Sequence, residues 1–471
     1  MFDVVIIGGG VVGCAIFSKL SRLGLNCALI EKENDVGFGS SKANSGLIHA
    51  GFDAKPSTLK AKLNVRGNFM YDEIAKKLGV PFIRNGHLVV GNDLTKIQEL
   101  YERGIKNKVP SLKILDQNEI HKLEPNLNED IKYALYAKTG GMVSSYDLPI
   151  AFAEDGILNG GKVYLSFITK QIKKVKDEFS ITAKDGRCVS AKWIINACGA
   201  GFNDISKLIG AEIYPITFKR GEYYILDKSE SGFVKRTVFP LPEKGTKGVL
   251  ITPTVHGNTL VGPTSYKSDA STITTREGLN EIATKSSMVS KTIPLYKTIR
   301  VFSGVRNISG DDFVIEKSKK VNGVINICGI CSPGLSSAPA IAEYVARLLD
   351  LDPTKEVRDN RRRAYTNINN LKVDELNKKI KGNKDFGRIV CRCENISLFE
   401  IKEALNSVLP ANSVDGVKRR VRAGMGRCQG GFCLSKVMEE IKNSKKIKYE
   451  DILKDRDGSN IIISSVEGES L

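Results

Sequence analysis

The chain has one tryptophan and four histidines, and aromatic residues make up only 7% of its 471 residues. No basic-aromatic stripe and no RNA-recognition signature can be built from so few rings, which argues against nucleic acid as a partner. Acidic residues are also in deficit, 53 against 71 Lys and Arg, and the resulting +18 suits small anionic substrates as well as a solvated lysine-rich surface. A membrane-spanning run is missing too: the longest apolar stretch, Val4 to Phe17, is broken by glycines and falls short of the roughly 20 residues a span requires. The start Met1-Phe2-Asp3 has no cationic leader, so the ten cysteines are expected in a reducing compartment rather than as disulfides. The expected location is the cytoplasm, with any membrane contact peripheral at the inner face of the cell membrane or made through a partner.

Glycine, by contrast, is abundant and placed. Asp3 to Ile7 reads as a buried strand, Gly8-Gly9-Gly10-Val11-Val12-Gly13 satisfies G-x-G-x-x-G, and Cys14 to Leu23 reads as the helix that follows. A second strand, Asn26 to Ile30, ends at Glu31, placed to accept a hydrogen bond from a ribose 2′-hydroxyl. Gly8 permits the turn, Gly10 the approach of a pyrophosphate and Gly13 the packing of helix on strand, with the phosphates at a helix N-terminus. An acid at the second strand's end favours FAD or NAD over NADP.

The small-residue loop Phe38 to Gly51 follows, containing Ser40, Ser41, Asn44, Ser45 and His49. Its SSKANSGLIHAGF resembles the flavin-facing segment of the D-amino-acid-oxidase-like superfamily, in the branch that holds glycerol-3-phosphate dehydrogenases and 2-hydroxyglutarate oxidases. Further similar pieces are INACGA, which contains Gly199, PTVHGNTLVGPT from Pro253, and GICSPGLSSAPA, which contains Gly329, Gly334, Leu335 and Ser336. The resemblance implies FAD as cofactor, with these glycines and small residues beside it. The small-residue helix from Ser336 to Leu349 aims its N-terminus at the isoalloxazine region.

The fold expected is therefore α/β: a Rossmann-like FAD-binding domain with an interleaved antiparallel-sheet substrate domain, plus a small C-terminal helical iron–sulfur domain. The oxidoreductase part is expected over 1–350, with FAD-binding parts at about 1–80, 146–211 and 316–350 and substrate parts at about 81–145 and 212–315. A linker spans 351–387, the cluster domain 388–445 and a polar tail 446–471. The linker's Arg361-Arg362-Arg363 reads as a solvated charge run or a dock for an acidic partner.

With only four histidines, each can be weighed. His87 begins a strand, His121 sits in a charged helix and His256 in a hairpin turn, all structural positions. His49, between Gly46 and Gly51 in the flavin loop, is the candidate base for a substrate hydroxyl, or else packs against the loop backbone. An anionic substrate needs a fixed cation, and SGVR…DDFVIE is similar to the superfamily segment whose Arg grips a carboxylate or phosphate, which implies Arg306. Arg300, an even number of residues away, and Arg220 on a neighbouring strand are weaker substrate-binding candidates.

Near the C-terminus, Cys391-Arg392-Cys393 and Cys428-Gln429-Gly430-Gly431-Phe432-Cys433 form C-x-C and C-x4-C, two thiol pairs that suit a [2Fe-2S] cluster or a tetrahedral zinc. KRRVRAGMGRCQGGFC resembles the bacterioferritin-associated-ferredoxin-like [2Fe-2S] domain, and that resemblance implies the cluster. The six other cysteines read as buried small hydrophobes. The whole arrangement resembles the large subunits of anaerobic glycerol-3-phosphate dehydrogenases. It implies oxidation of sn-glycerol 3-phosphate by hydride transfer to flavin, with electrons leaving through the cluster and companion electron-transfer subunits to a quinone or another carrier. A 2-hydroxy-acid dehydrogenase acting on L-2-hydroxyglutarate, and an electron-relay subunit without its own substrate, are the alternatives.

Overall fold

Five short apolar runs, distant from one another in sequence, become the parallel heart of a sheet. In spatial order they are Val324–Cys328, Cys188–Asn196, Phe2–Ile7, Cys27–Ile30 and Lys162–Tyr164. Val4, Val5, Ile6, Ile194, Ile195, Val324 and Ile325 are fully buried, which is why these strands read as continuous apolar runs rather than as alternation: helices cover both faces. The helix Val11–Arg22 packs between Asp147–Leu158 and Gly334–Leu348. It is locked to Asp147–Leu158 by a buried ion pair between Arg22 and Asp155, at 2.5 Å. The antiparallel strands Thr169–Val175, Glu178–Ala183 and Val314–Lys317 complete an eight-stranded sheet.

A second sheet of nine strands is antiparallel except where Thr237–Pro240 runs alongside His87–Gly91. Its order runs from Thr298–Ile308 through Thr217–Leu226, Thr259–Gly262, Leu250–Pro253 and Thr237–Pro240 to His87–Gly91 and beyond. Alternation splits its side chains. Leu88, Val238, Ile251 and Val261 pack under the helix Arg276–Ser287, while Val89, Phe239, Leu250 and Tyr223 face the loop that carries His49.

The computed structural model describes residues 1–242 and 248–463, so the end of the expected tail lies outside the described residues. By their contacts they divide into two units. One comprises Met1–Ile30, Gly37–Tyr164 and Thr169–Arg362; the other comprises Glu31–Val36, Leu165–Ile168 and the chain from Arg363. The second unit is helical, with Leu398–Leu405, Val414–Val421 and Leu434–Lys445 around a core that includes Ile401, Val417, Val437 and Ile441. The Ser397–Glu400 capping box is formed, the Glu400 carboxylate accepting from the Ser397 amide at 2.7 Å.

Three expectations change. The apolar run Val163 to Ile168 reads in sequence as one strand, but the strand stops at Tyr164, because the Ser166 and Phe167 amides donate to the Glu33 and Glu31 carbonyls instead of to the sheet. The first part of the expected linker is not solvated. Arg362 is buried between Glu154, at 2.5 Å, and Asp147, at 3.3 Å, because two interior carboxylates need a counter-charge. Cys188 is exposed rather than buried, since it opens its strand and faces the Ser180 hydroxyl at 3.3 Å. No helix among the described residues is long and apolar enough to cross a membrane.

Candidate active site

Gly8 turns the chain out of its strand at φ +113°, and a Cβ there would stand 2.6 Å from the Ala197 carbonyl oxygen. At Gly13 a Cβ would come within 2.0 Å of the Gly8 carbonyl oxygen, so the first turn of Val11–Arg22 lies directly against the strand end. Gly10 caps that helix in an extended conformation with no side-chain cap bond, and the Ser41 hydroxyl accepts from the Val11 amide at 2.9 Å. These residues form a cradle without side chains at a helix N-terminus, which suits a pyrophosphate. Glu31 directly follows Cys27–Ile30, belongs by contact to the second unit, and accepts the Glu33 amide at 3.0 Å.

The loop after Gly39 holds its own shape. The Asn44 side chain donates to the Ser40 and Ser41 carbonyls and accepts from the Gly46 amide, so it orders the loop rather than projecting from it. Ser40 donates to the Val305 carbonyl, and Ser45 meets the Tyr223 hydroxyl at 3.4 Å. Gly304 lies beneath Ala43 so closely that a Cβ would stand 1.9 Å from the Ala43 carbonyl oxygen. The loop is thereby laid across one face of the nine-stranded sheet.

His49 is positioned through its backbone. Its amide donates to the Ser336 hydroxyl at 2.7 Å, and its carbonyl accepts from Asn64 at 2.7 Å and Asn68 at 2.9 Å, both on the helix Leu59–Leu78. That helix crosses Gly334–Leu348 at Gly67, where a Cβ would meet the Ser336 carbonyl at 2.1 Å. Pro339 explains a further contact. It has no N–H for the Leu335 carbonyl one turn earlier, and the buried Tyr71 hydroxyl takes that carbonyl at 2.6 Å. Burial pushes the Tyr71 phenol far above its ordinary value.

The His49 ring meets His87 edge to face at 5.7 Å and Phe239 at 5.7 Å. With Phe52, Asp53, Val89, Leu100, Pro240 and Pro242 it lines a small, largely apolar cavity. His87 is fully buried, and burial holds its pKa down at about 4 while Nε2 lies 3.3 Å from the Gly141 carbonyl. It is therefore a neutral imidazole backing His49.

Arg306 projects from the same face of the sheet as Gly304, and Gly221, two residues beyond its register partner Lys219, leaves space beside the guanidinium: a Cβ there would stand 3.1 Å from Nη2. Nη2 donates to the Thr264 carbonyl at 2.8 Å. Arg306 lines a second cavity with Gly248, Thr264, Ser265 and two residues of the helix Arg276–Ser287, Glu281 and Lys285. Arg300 is exposed and lines neither cavity. Arg220 is committed to the buried Glu222 carboxylate at 3.1 Å, which also takes the Thr275 amide and hydroxyl at the start of Arg276–Ser287. Gly199 opens the turn after Cys188–Asn196, and Gly329 turns the chain after Val324–Cys328. Asn64, Asn68 and Tyr71 carry no expectation from the sequence, and His87 only a structural one. The spacing of the two asparagines on one helix face was the available signal, but nothing local names the carbonyl they serve.

In the second unit the four cysteines converge as two pairs, Cys391 with Cys433 and Cys393 with Cys428. A hydrogen bond from Cys433, with the Gly424 amide at 3.5 Å, lowers the Cys391 thiol to about 6. A Cβ at Gly426 would stand 2.3 Å from that of Cys393, so only glycine lets the two cysteine segments meet. Among the described residues no three His, Cys, Asp or Glu surround a single point as one metal ion requires. Two thiol pairs match a two-iron cluster, in which each iron takes two thiolates.

Comparison with known proteins identifies both parts of the chain by family. The family model "FAD dependent oxidoreductase" matches residues 3–348, and "BFD-like [2Fe-2S] binding domain" matches 389–443. A glycerol 3-phosphate dehydrogenase from Caloramator mitchellensis is 45% identical, covering 100% of both chains. A glycerol 3-phosphate oxidase from Mycoplasma genitalium is 30% identical over 76% of this chain and 97% of its own. Among solved structures, the dithionite-reduced L-alpha-glycerophosphate oxidase from Mycoplasma pneumoniae with FAD bound superposes with a TM-score of 0.71 at 28% identity, over 74% of this chain and 95% of that one.

Proposed function

Because the chain belongs to the FAD dependent oxidoreductase family and carries a BFD-like [2Fe-2S] binding domain, we propose that it oxidises sn-glycerol 3-phosphate to dihydroxyacetone phosphate and passes the electrons out through its cluster. Its cofactors are FAD and the [2Fe-2S] cluster. The observation that carries the substrate assignment is the 45% identity to a glycerol 3-phosphate dehydrogenase along the whole of both chains. Its support in the fold is that His49 and Arg306 each line a cavity at the nine-stranded sheet.

Oxidation of the secondary alcohol removes two electrons and two protons, and bound FAD supplies the two-electron acceptor. His49 takes the hydroxyl proton, its position set by Ser336, Asn64 and Asn68 and its surroundings kept apolar by Phe52, Val89 and Phe239. Arg306 holds the anionic end through its planar fork, over the gap left by Gly221. A [2Fe-2S] cluster, which Cys391, Cys393, Cys428 and Cys433 would hold, would supply a one-electron outlet toward a quinone or a companion carrier.

Anaerobic titration of the purified chain tests this. sn-Glycerol 3-phosphate should bleach the flavin absorbance and L-2-hydroxyglutarate should not; the opposite pattern would transfer the site to a hydroxy acid, and bleaching by neither would leave an electron relay. His49→Ala should slow bleaching by roughly 10²–10⁴. Arg306→Ala should raise the substrate's half-saturation about 10–100-fold, the loss of a charge-assisted hydrogen bond or two.

A further inference from the structure

Phe432 lies inside the C-x4-C segment, one residue from the buried Cys433, yet is 77% exposed. A phenylalanine side chain carries a large apolar area, here left in water on a loop whose neighbours are Gly430 and Gly431. Ile389, at the other cysteine segment, is also exposed. Arg392 and Arg427 are exposed, and residues 391–393 and 424–435 contain no acid. The nearby carboxylates are paired: Glu394 is buried and held by Arg422 at 2.9 Å, Asp385 meets the exposed Arg388 at 3.7 Å, and Glu439 meets Lys436 at 2.9 Å. Arg392, Arg427 and Phe432 each adjoin a cluster cysteine in sequence, and those cysteines pair, Cys391 with Cys433 and Cys393 with Cys428. Cys393 is itself exposed.

We propose that this rim is the docking face for a one-electron carrier protein whose own face is acidic, with Phe432 as the apolar anchor and Arg392 and Arg427 steering the encounter. The proposal rests on the exit of electrons through the cluster. An exposed aromatic and exposed arginines on the cysteine segments have the anatomy of a small transient interface, in which an apolar anchor supplies affinity and the charges supply association rate. In the transfer itself one electron passes from the reduced cluster to the carrier; no bond forms and no proton moves.

The test bypasses the substrate. The full-length chain, loaded with FAD and cluster, is reduced with dithionite, desalted anaerobically and mixed with either oxidised cytochrome b5, an acidic carrier, or oxidised cytochrome c, a basic one. Haem absorbance reports the rate. The parent should reduce cytochrome b5 at a rate that falls as NaCl is added. Arg392→Glu/Arg427→Glu should slow that reaction at least tenfold at low salt, flatten its salt dependence and speed the reaction with cytochrome c. Phe432→Ser should slow the cytochrome b5 reaction without changing its salt slope. Equal visible absorbance of the cluster shows that each variant is intact; if charge reversal loses the cluster, Arg392→Gln/Arg427→Gln takes its place. A parent rate insensitive to salt, or variants that match the parent, would overturn the proposal. So would a Phe432→Ser variant that reduces cytochrome b5 normally but no longer passes electrons from flavin to cluster, since the face would then serve the chain itself. Failure of glycerol phosphate to bleach the flavin would leave this result untouched.

Discussion

His87 is fully buried. Burial holds its pKa at about 4, with the Arg84 charge acting in the same direction against the Gly141 carbonyl. In the unfolded chain the imidazole returns to its ordinary value near 6.5, so as pH falls the unfolded state binds the proton first. The stability that a neutral His87 contributes is complete above about pH 6.5 and is lost progressively toward pH 4. At pH 5 the loss is about 2 kcal/mol. His87→Phe keeps a ring against His49 and Phe239 but cannot titrate. The difference between its urea midpoints at pH 7 and pH 5 should therefore be smaller than the parent's, and equal differences would show that His87 does not govern this slope. The strand carrying His87 was legible in its sequence, as was its null value as a base; its place behind His49 was not, because 38 residues separate them and ring contacts leave no local pattern.

At the scale of elements, the helix Leu59–Leu78 does what no single residue can. It presents Asn64 and Asn68 to the His49 carbonyl, Gly67 to Ser336 and Tyr71 to Leu335, all on one face at helical spacing. Asn64→Leu removes one of the two side-chain donors on His49 and should cost about 1–2 kcal/mol of stability, with a several-fold fall in kcat. Asn64→Asp, which sets a carboxylate oxygen against the carbonyl, should be worse on both counts. Thermal midpoints and steady-state rates of the pair decide it: if Asp is tolerated better than Leu, the amide is not a donor to His49. The strands and helices themselves were readable within a residue or two where period or capping was strong, as at Phe2–Ile7, Gly334–Leu348 and the Ser397 capping box. The strand expected to continue to Ile168 failed because an apolar run does not say which backbone it will pair with.

For the molecule as a whole, long-range charge decides what belongs together. Asp35, a few residues past Cys27–Ile30, is buried in the second unit between Arg420, at 2.8 Å, and Arg419, at 3.1 Å. Burial alone would raise its carboxyl, but the two guanidiniums outweigh it and hold it below the ordinary value. Its contribution is therefore present above the unfolded pKa and lost only in strong acid, as pH falls through the folded one. Asp35→Asn would leave two buried arginines without their carboxylate and should cost about 3–5 kcal/mol. Heating should then bleach the [2Fe-2S] absorbance at a lower temperature than in the parent. Coincident bleaching in the two proteins would mean that the pair contributes nothing net.

By itself the sequence determined whatever is written locally: the glycine turn and its flanking strand and helix, the alternating strands, the capping box and the two cysteine pairs, each within a few residues whose spacing has one physical meaning. Tertiary structure alone decided which of several cations stands open to a substrate. Arg220 and Arg306 have the same chemistry and lie on adjacent strands, but a buried Glu222 claims the first while Gly221 opens space for the second. It likewise decided that Asp35 joins the chain beyond Arg363 and that a few amide and hydroxyl groups hold His49. Charge pairing and hydrogen bonding at a distance depend on who arrives at a given place, and only the packed chain settles that.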